Sequence, residues 1–156
     1  MEILFKCMIK VPRHASSKNE KEIYKRKNGQ IFIGKDDKTI ICQDVIRKHL
    51  FFERIKQRLD KPILCDINAK FTFHFPETVY FTKRGPRSQN LPDLSNLYEL
   101  PQDCLQYNFC KFKKGHPMFE ELKIIGNDSQ ICSHDGSRRV PIKGTEYFLE
   151  IEITRF

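Results

Sequence analysis

Tryptophan is absent from this 156-residue chain, and other markers of function class are missing with it. No apolar run approaches the roughly 20 residues that cross a bilayer as a helix. The opening Met1-Glu2-Ile3-Leu4-Phe5-Lys6 meets charge too soon for a secretory leader, so a cytoplasmic setting is expected. There is no Cys-x-x-Cys pair among the cysteines at 7, 42, 65, 104, 110 and 132. Their even number would permit a disulfide framework, but a chain of this length can bury a core without staples, so the thiols are expected to be reduced. No glycine-rich phosphate loop and no Ser-His-Asp set is visible. Neither repeats nor a low-complexity linker divide the chain, which argues for one domain over residues 1–156.

What is present is charge of one sign and phenylalanine. Lys and Arg number 28 against 20 acidic residues, a net charge of +8 with a pI near 9.2. Such a balance favours an anionic partner, nucleic acid first and a membrane surface second. Thirteen phenylalanines and 39% hydrophobic residues are enough for a real core.

Hydrophobic periodicity outlines the elements. Ile3, Phe5, Cys7, Ile9 and Val11 alternate with charge, a half-buried strand over 2–11 that Pro12 ends. Residues 13–39 are polar and basic, with turns at Ser16-Ser17-Lys18-Asn19 and Lys25-Arg26-Lys27-Asn28-Gly29 and a short strand at Ile31-Phe32-Ile33. Residues 40–59 carry helical spacing with an apolar stripe of Ile41, Val45, Phe52, Ile55 and Leu59. The clearest strand runs from Cys65 to Phe75, where Phe71, Phe73 and Phe75 fall on one side and His74 on the other. Its strict alternation favours packing over a platform for unpaired bases, with a dimer interface as the alternative for some of these phenylalanines. A second helix is expected within 95–107, kinked or started late by Pro101. Residues 108–123 look irregular. Asp135-Gly136 and Lys143-Gly144 predict a closing β-meander. The fold class expected is α+β, a small mixed sheet with two main helices packed on it.

Two acidic motifs carry the chemistry. Pro92-Asp93-Leu94-Ser95-Asn96-Leu97 is answered further along by Gly126-Asn127-Asp128-Ser129-Gln130. Carboxylates hold hard cations such as Mg²⁺, and a basic surround holds the polyanion on which the ion acts. Ser95, Glu99 and Asp103 recur at a spacing of four, so they share a helical face with Asp93 at its head. The competing reading is that Asp93 merely caps the helix.

The order of these pieces resembles the RusA-type Holliday-junction resolvases, small endonucleases of bacteria and prophages. Strand, basic loop, Asp-Leu-x-Asn-Leu helix and Asp-x-Gln before the last strands all match, over nearly the whole chain. The resemblance implies a homodimer that cuts four-way DNA junctions with Mg²⁺, and it assigns the metal-site aspartates to Asp93 and Asp128. Two departures stand out. The family motif usually has Asp where this chain has Ser95, and its catalytic lysine falls on Glu99. Glu99 is then the first candidate to replace the lost carboxylate, with Asp103 second and Asn96 in a supporting role.

Lys83, Arg84 and Arg87 precede the acidic motif and are the best placed phosphate contacts. Lys18, Lys25, Arg26, Lys27, Lys111, Lys113 and Lys114 extend the basic footprint, although any one of them alone reads as ordinary solvated surface. Cys104, Cys110, His116, Cys132 and His134 have the right chemistry for zinc, but their spacing matches no common structural pattern. His14 falls in a loop without an assigned role. The alternatives carried forward are a non-catalytic nucleic-acid-binding module and a zinc-containing regulatory protein.

Overall fold

The computed structural model describes residues 2–16 and 21–156; Lys18 lies outside them. Strand β1 (Ile3–Val11) is followed by a hairpin of β2 (Lys21–Lys25) and β3 (Ile31–Lys35), then by helix α1 (Asp37–Lys56). Strand β4 (Ile67–Pro76) leads into a short helix α2 (Glu77–Tyr80). Helices α3 (Leu94–Leu97) and α4 (Glu99–Leu105) come next, and a 3₁₀ turn at Asp128–Gln130 opens β5 (Ile131–Ser133). Strands β6 (Arg138–Ile142) and β7 (Tyr147–Arg155) complete the chain.

The main sheet is mixed, as the expected α+β class requires. β7 lies in the middle, antiparallel to β1 on one side and to β4 on the other. β5 and β6 both run parallel to β4 along its far edge, β5 beside its start and β6 beside its end. Hence the closing segments do not form a meander. Gly144 takes a left-handed turn at φ +103, but that turn carries the chain across the end of β4. Two strand spacings are about 9.6 Å, which the four residues 143–146 can span. Asp135-Gly136 likewise interrupts one edge instead of closing a hairpin.

Alternation sorts the sheet into two faces. Phe71, Phe73 and Phe75 are buried, together with Ile67, Ala69, Leu149, Ile151 and Ile153, so these phenylalanines are core. Each fully buried Phe, Leu or Ile side chain among them contributes about 2 kcal/mol. Helices α1 and α4 pack on one another, α1 also covers β1, and the Tyr98 ring between α3 and α4 lies against Phe71 and Phe73. The opposite face is charged. Lys6 reaches Glu152 at 3.4 Å, Lys70 reaches Glu152 at 3.3 Å, and His74 faces Glu150 at 3.5 Å.

Helix α1 starts at Asp36, whose carboxylate accepts from the Thr39 N–H at 2.8 Å. Its buried face is Thr39, Cys42, Gln43, Ile46, Leu50 and Arg54. The expected stripe is thereby displaced: Ile41, Phe52 and Ile55 are 54%, 67% and 57% exposed. Arg54 explains part of the shift. Its guanidinium donates to the carbonyls of Lys123 and Asp60, so a charged residue satisfies loop carbonyls that an apolar one would leave unpaired. The break at Tyr98 gives α4 the late start expected of Pro101, which sits in its first turn where no N–H is needed.

His14 also departs from its expected loop role. It is buried and ringed edge-on by Phe73, Phe75 and Tyr147. Its Nε2 lies 2.9 Å from the His74 carbonyl. Apart from β2, β3 and their turn, which sequence patterning only half outlined, the basic stretches are irregular: no helix or strand lies between α4 and the 3₁₀ turn.

Candidate functional site

Asp93 stands immediately before α3, and its carbonyl accepts from the Asn96 N–H at 3.0 Å. Its side chain makes no capping hydrogen bond and is exposed. The carboxylate is therefore not spent on the helix end, which weakens the capping alternative. The Pro92 carbonyl accepts from Arg139 at 2.6 Å, tying this segment to β6. Ser95 is exposed and Asn96 half-buried beside it.

Glu99 and Asp103 are one helical turn apart on α4. Burial pushes the Asp103 carboxyl above its ordinary value; Lys35 opposes that shift, while Glu99 and Asp128 reinforce it. Three carboxylates thus share one electrostatic neighbourhood. The Lys35 ammonium lies 3.7 Å from the Asp103 carboxylate and donates to the Gln43 side chain at 2.9 Å. Sequence patterning gave no sign that Lys35, at the end of β3, would stand among acids on α4.

Asp128 is exposed in the 3₁₀ turn. Its backbone N–H donates to Gln106 just after α4, at 3.2 Å. Asn127 performs the capping, accepting from Ser129 at 2.9 Å, so the Asp128 carboxylate is also unspent. Gln130 holds the turn: it accepts from the Asn127 N–H at 2.8 Å and donates to the Ile63 and Cys65 carbonyls. The Asn127-x-x-Gln130 spacing is the signal that could have marked this cap. A Cβ at Gly126 would meet the ends of the Leu64 and Gln130 side chains at 2.8 and 2.9 Å, and the Gln130 end is held in place by its hydrogen bonds. Asp93 heads the helical segment whose other end, through Gln106, holds the Asp128 turn.

Among the described residues, no three His, Cys, Asp or Glu side chains form a group that could hold a metal by themselves. These donors do not fit a dehydrated cage. Exposed single carboxylates such as Asp93 and Asp128 are the donor type a hydrated Mg²⁺ takes, since that ion keeps several waters and binds one or two carboxylates plus substrate phosphate. The zinc candidates are dispersed. Burial pushes the Cys104 thiol up to about 12, His116 stacks on Phe112, and His134 bonds the Ala69 carbonyl and lies tilted against the Tyr98 ring.

The expected phosphate contacts are on the surface. Lys83, Arg84 and Arg87 are exposed on a tight loop, closed by Thr82 N–H to the Pro86 carbonyl at 2.8 Å and by Ser88 N–H to the Tyr80 carbonyl at 2.7 Å. Gly85 turns this loop at φ +94. Lys111, Lys113 and Lys114 are exposed in the irregular stretch after α4. Lys25, Arg26 and Lys27 crown the β2–β3 hairpin. No helix among the described residues is long and apolar enough to cross a membrane. Searches of protein-family models and of curated proteins gave no match to this chain.

Proposed function

We propose that this protein is a Mg²⁺-dependent, structure-selective DNA endonuclease that hydrolyses phosphodiester bonds at four-way (Holliday) junctions during recombination and repair, working as a homodimer. The observation that carries the reading is the pair of exposed aspartates, Asp93 and Asp128, neither used for capping, in a chain of net charge +8. The RusA-type resemblance points to the same two residues. Asp93 and Asp128 would hold the ion, and Asp103 feels the charge of both Glu99 and Asp128. A Mg²⁺ held there would supply hydroxide near neutral pH and polarise the phosphoryl oxygen.

The chain's own residues do the positioning. Asn127 and Gln130 fix the Asp128 turn, and Gln106 keeps it beside α4. Lys35 offsets the like charges of the acids before substrate arrives. Lys83, Arg84 and Arg87 bind phosphates and carry no base information, as recognition of a branched shape requires.

A second reading, a nucleic-acid-binding protein without cleavage, is favoured by Ser95 in place of a carboxylate and by the Lys35–Asp103 pair. One assay separates the two. Four-way, flap and linear duplex DNA are incubated with the protein, with and without Mg²⁺. The endonuclease reading expects cuts at the four-way crossover that require Mg²⁺; binding to the junction with no cleavage under any metal supports the second reading.

A further inference from the structure

The hairpin of β2 and β3 pairs with no other strand among the described residues. A two-stranded ribbon on its own is marginal in water, yet this one leaves a row of aliphatic side chains bare. Ile23 and Ile33 are cross-strand partners, and Ile31 continues the same face. They are 74%, 70% and 68% exposed. The other face is occupied by the stacked rings of Tyr24 and Phe32, 5.4 Å apart, with the Arg26 guanidinium 4.9 Å from the Phe32 centroid. The turn beyond the strands carries exposed Lys25, Arg26 and Lys27, and Gly29 allows it at φ +88. At the opposite end, Lys35 anchors the ribbon to Asp103 and Gln43. The arm is thus rooted beside the acidic residues, and its five-residue strands are about 16 Å long.

From this arrangement we infer that the β2–β3 hairpin is a wedge that inserts its isoleucine face into an opened base step of branched DNA, while its cationic tip holds the flanking phosphates. The inference rests on the junction reading above and names how the junction is recognised. Apolar wedges lower their cost where base steps are already unstacked, and they need cations alongside to hold the bent backbone. Charge complementarity selects DNA over a second copy of this chain: two such faces brought together would set one cluster of Lys25, Arg26 and Lys27 near another, whereas DNA supplies the opposite charge.

The test uses the full chain without divalent ion, so that binding is read apart from cleavage. A four-way junction carries 2-aminopurine at the crossover, and a linear duplex of the same sequence serves as control. The variant Ile23→Ser/Ile31→Ser/Ile33→Ser is expected to lose the 2-aminopurine signal and to bind the junction about tenfold more weakly, with linear-duplex binding nearly unchanged. The variant Arg26→Glu/Lys27→Glu, which leaves the isoleucines in place, is expected to weaken both substrates and to flatten the salt dependence. All three positions of the serine variant are exposed, and its thermal transition should match the parent's. A serine variant that binds the junction and brightens the probe as the parent does overturns the wedge. So does light scattering in which the parent is a dimer and the serine variant a monomer, since the face then belongs to a second copy. If the parent binds the junction and gives the probe signal but never cuts when Mg²⁺ is restored, the wedge stands and the endonuclease reading falls.

Discussion

At the scale of single residues, burial decides which titrations matter. His14 is held down to about 4, chiefly by desolvation, against an ordinary value near 6.5. The folded imidazole stays neutral while the unfolded chain takes a proton, so stability is complete above pH 6.5 and drains as pH falls towards 4. The loss amounts to about 3 kcal/mol. Urea denaturation of the parent at pH 7, 5.5 and 4, beside His14→Phe, checks it: the variant should lose less of its own stability across that window. Asp103 works in the opposite sense. Its raised value means that the fold loses stability as pH climbs from the ordinary carboxyl range through the raised one, and Asp103→Asn should abolish that slope in a series of thermal melts. None of this was legible in the chain. His14 sits in a run of polar residues, and only the ring cage from β4 and β7 reveals its burial. Asp93 and Asp128 were legible, because a carboxylate beside turn-forming residues and apolar neighbours is a local pattern; their freedom from capping was not, because it depends on which neighbour accepts the N–H.

Elements read well where one face is buried and poorly where both are compromised. The alternation of β1, β4 and β7 follows directly from a sheet with a core face and a charged face. Helix α1 misled, because its apolar residues outnumber the positions facing the core and Arg54 takes a buried place. Strand β2 was missed because Lys21-Glu22-Ile23-Tyr24-Lys25 is too short and too charged for a pattern to emerge. The 3₁₀ turn is the element on which the proposed site depends. Gln130→Ala leaves the Asn127 N–H and the Ile63 and Cys65 carbonyls without their side-chain partner. It should cost about 1–3 kcal/mol, read by chemical denaturation, and should slow cleavage more than it weakens junction binding. Gly126→Ala, which pushes against the same Gln130 side chain, should move activity in the same direction.

For the molecule as a whole, topology was the least legible feature. Turn signals at Asp135-Gly136 and Lys143-Gly144 mark where the chain bends and not which strands it then joins. Here β6 and β7 end up on opposite sides of β4. Net charge, by contrast, is a property of composition and bears directly on binding. If Lys83, Arg84 and Arg87 each contact a phosphate, replacing all three with alanine should reduce the slope of log affinity against log salt by about 0.9 per lost contact, measured by anisotropy on a junction in increasing NaCl. The central claim concerns the two aspartates, and single-turnover cleavage of a four-way junction in Mg²⁺ tests it most directly. The account predicts that Asp93→Asn and Asp128→Asn each bind the junction as the parent does and cut it at least about a hundredfold more slowly. Cleavage by either variant at the parental rate would contradict it.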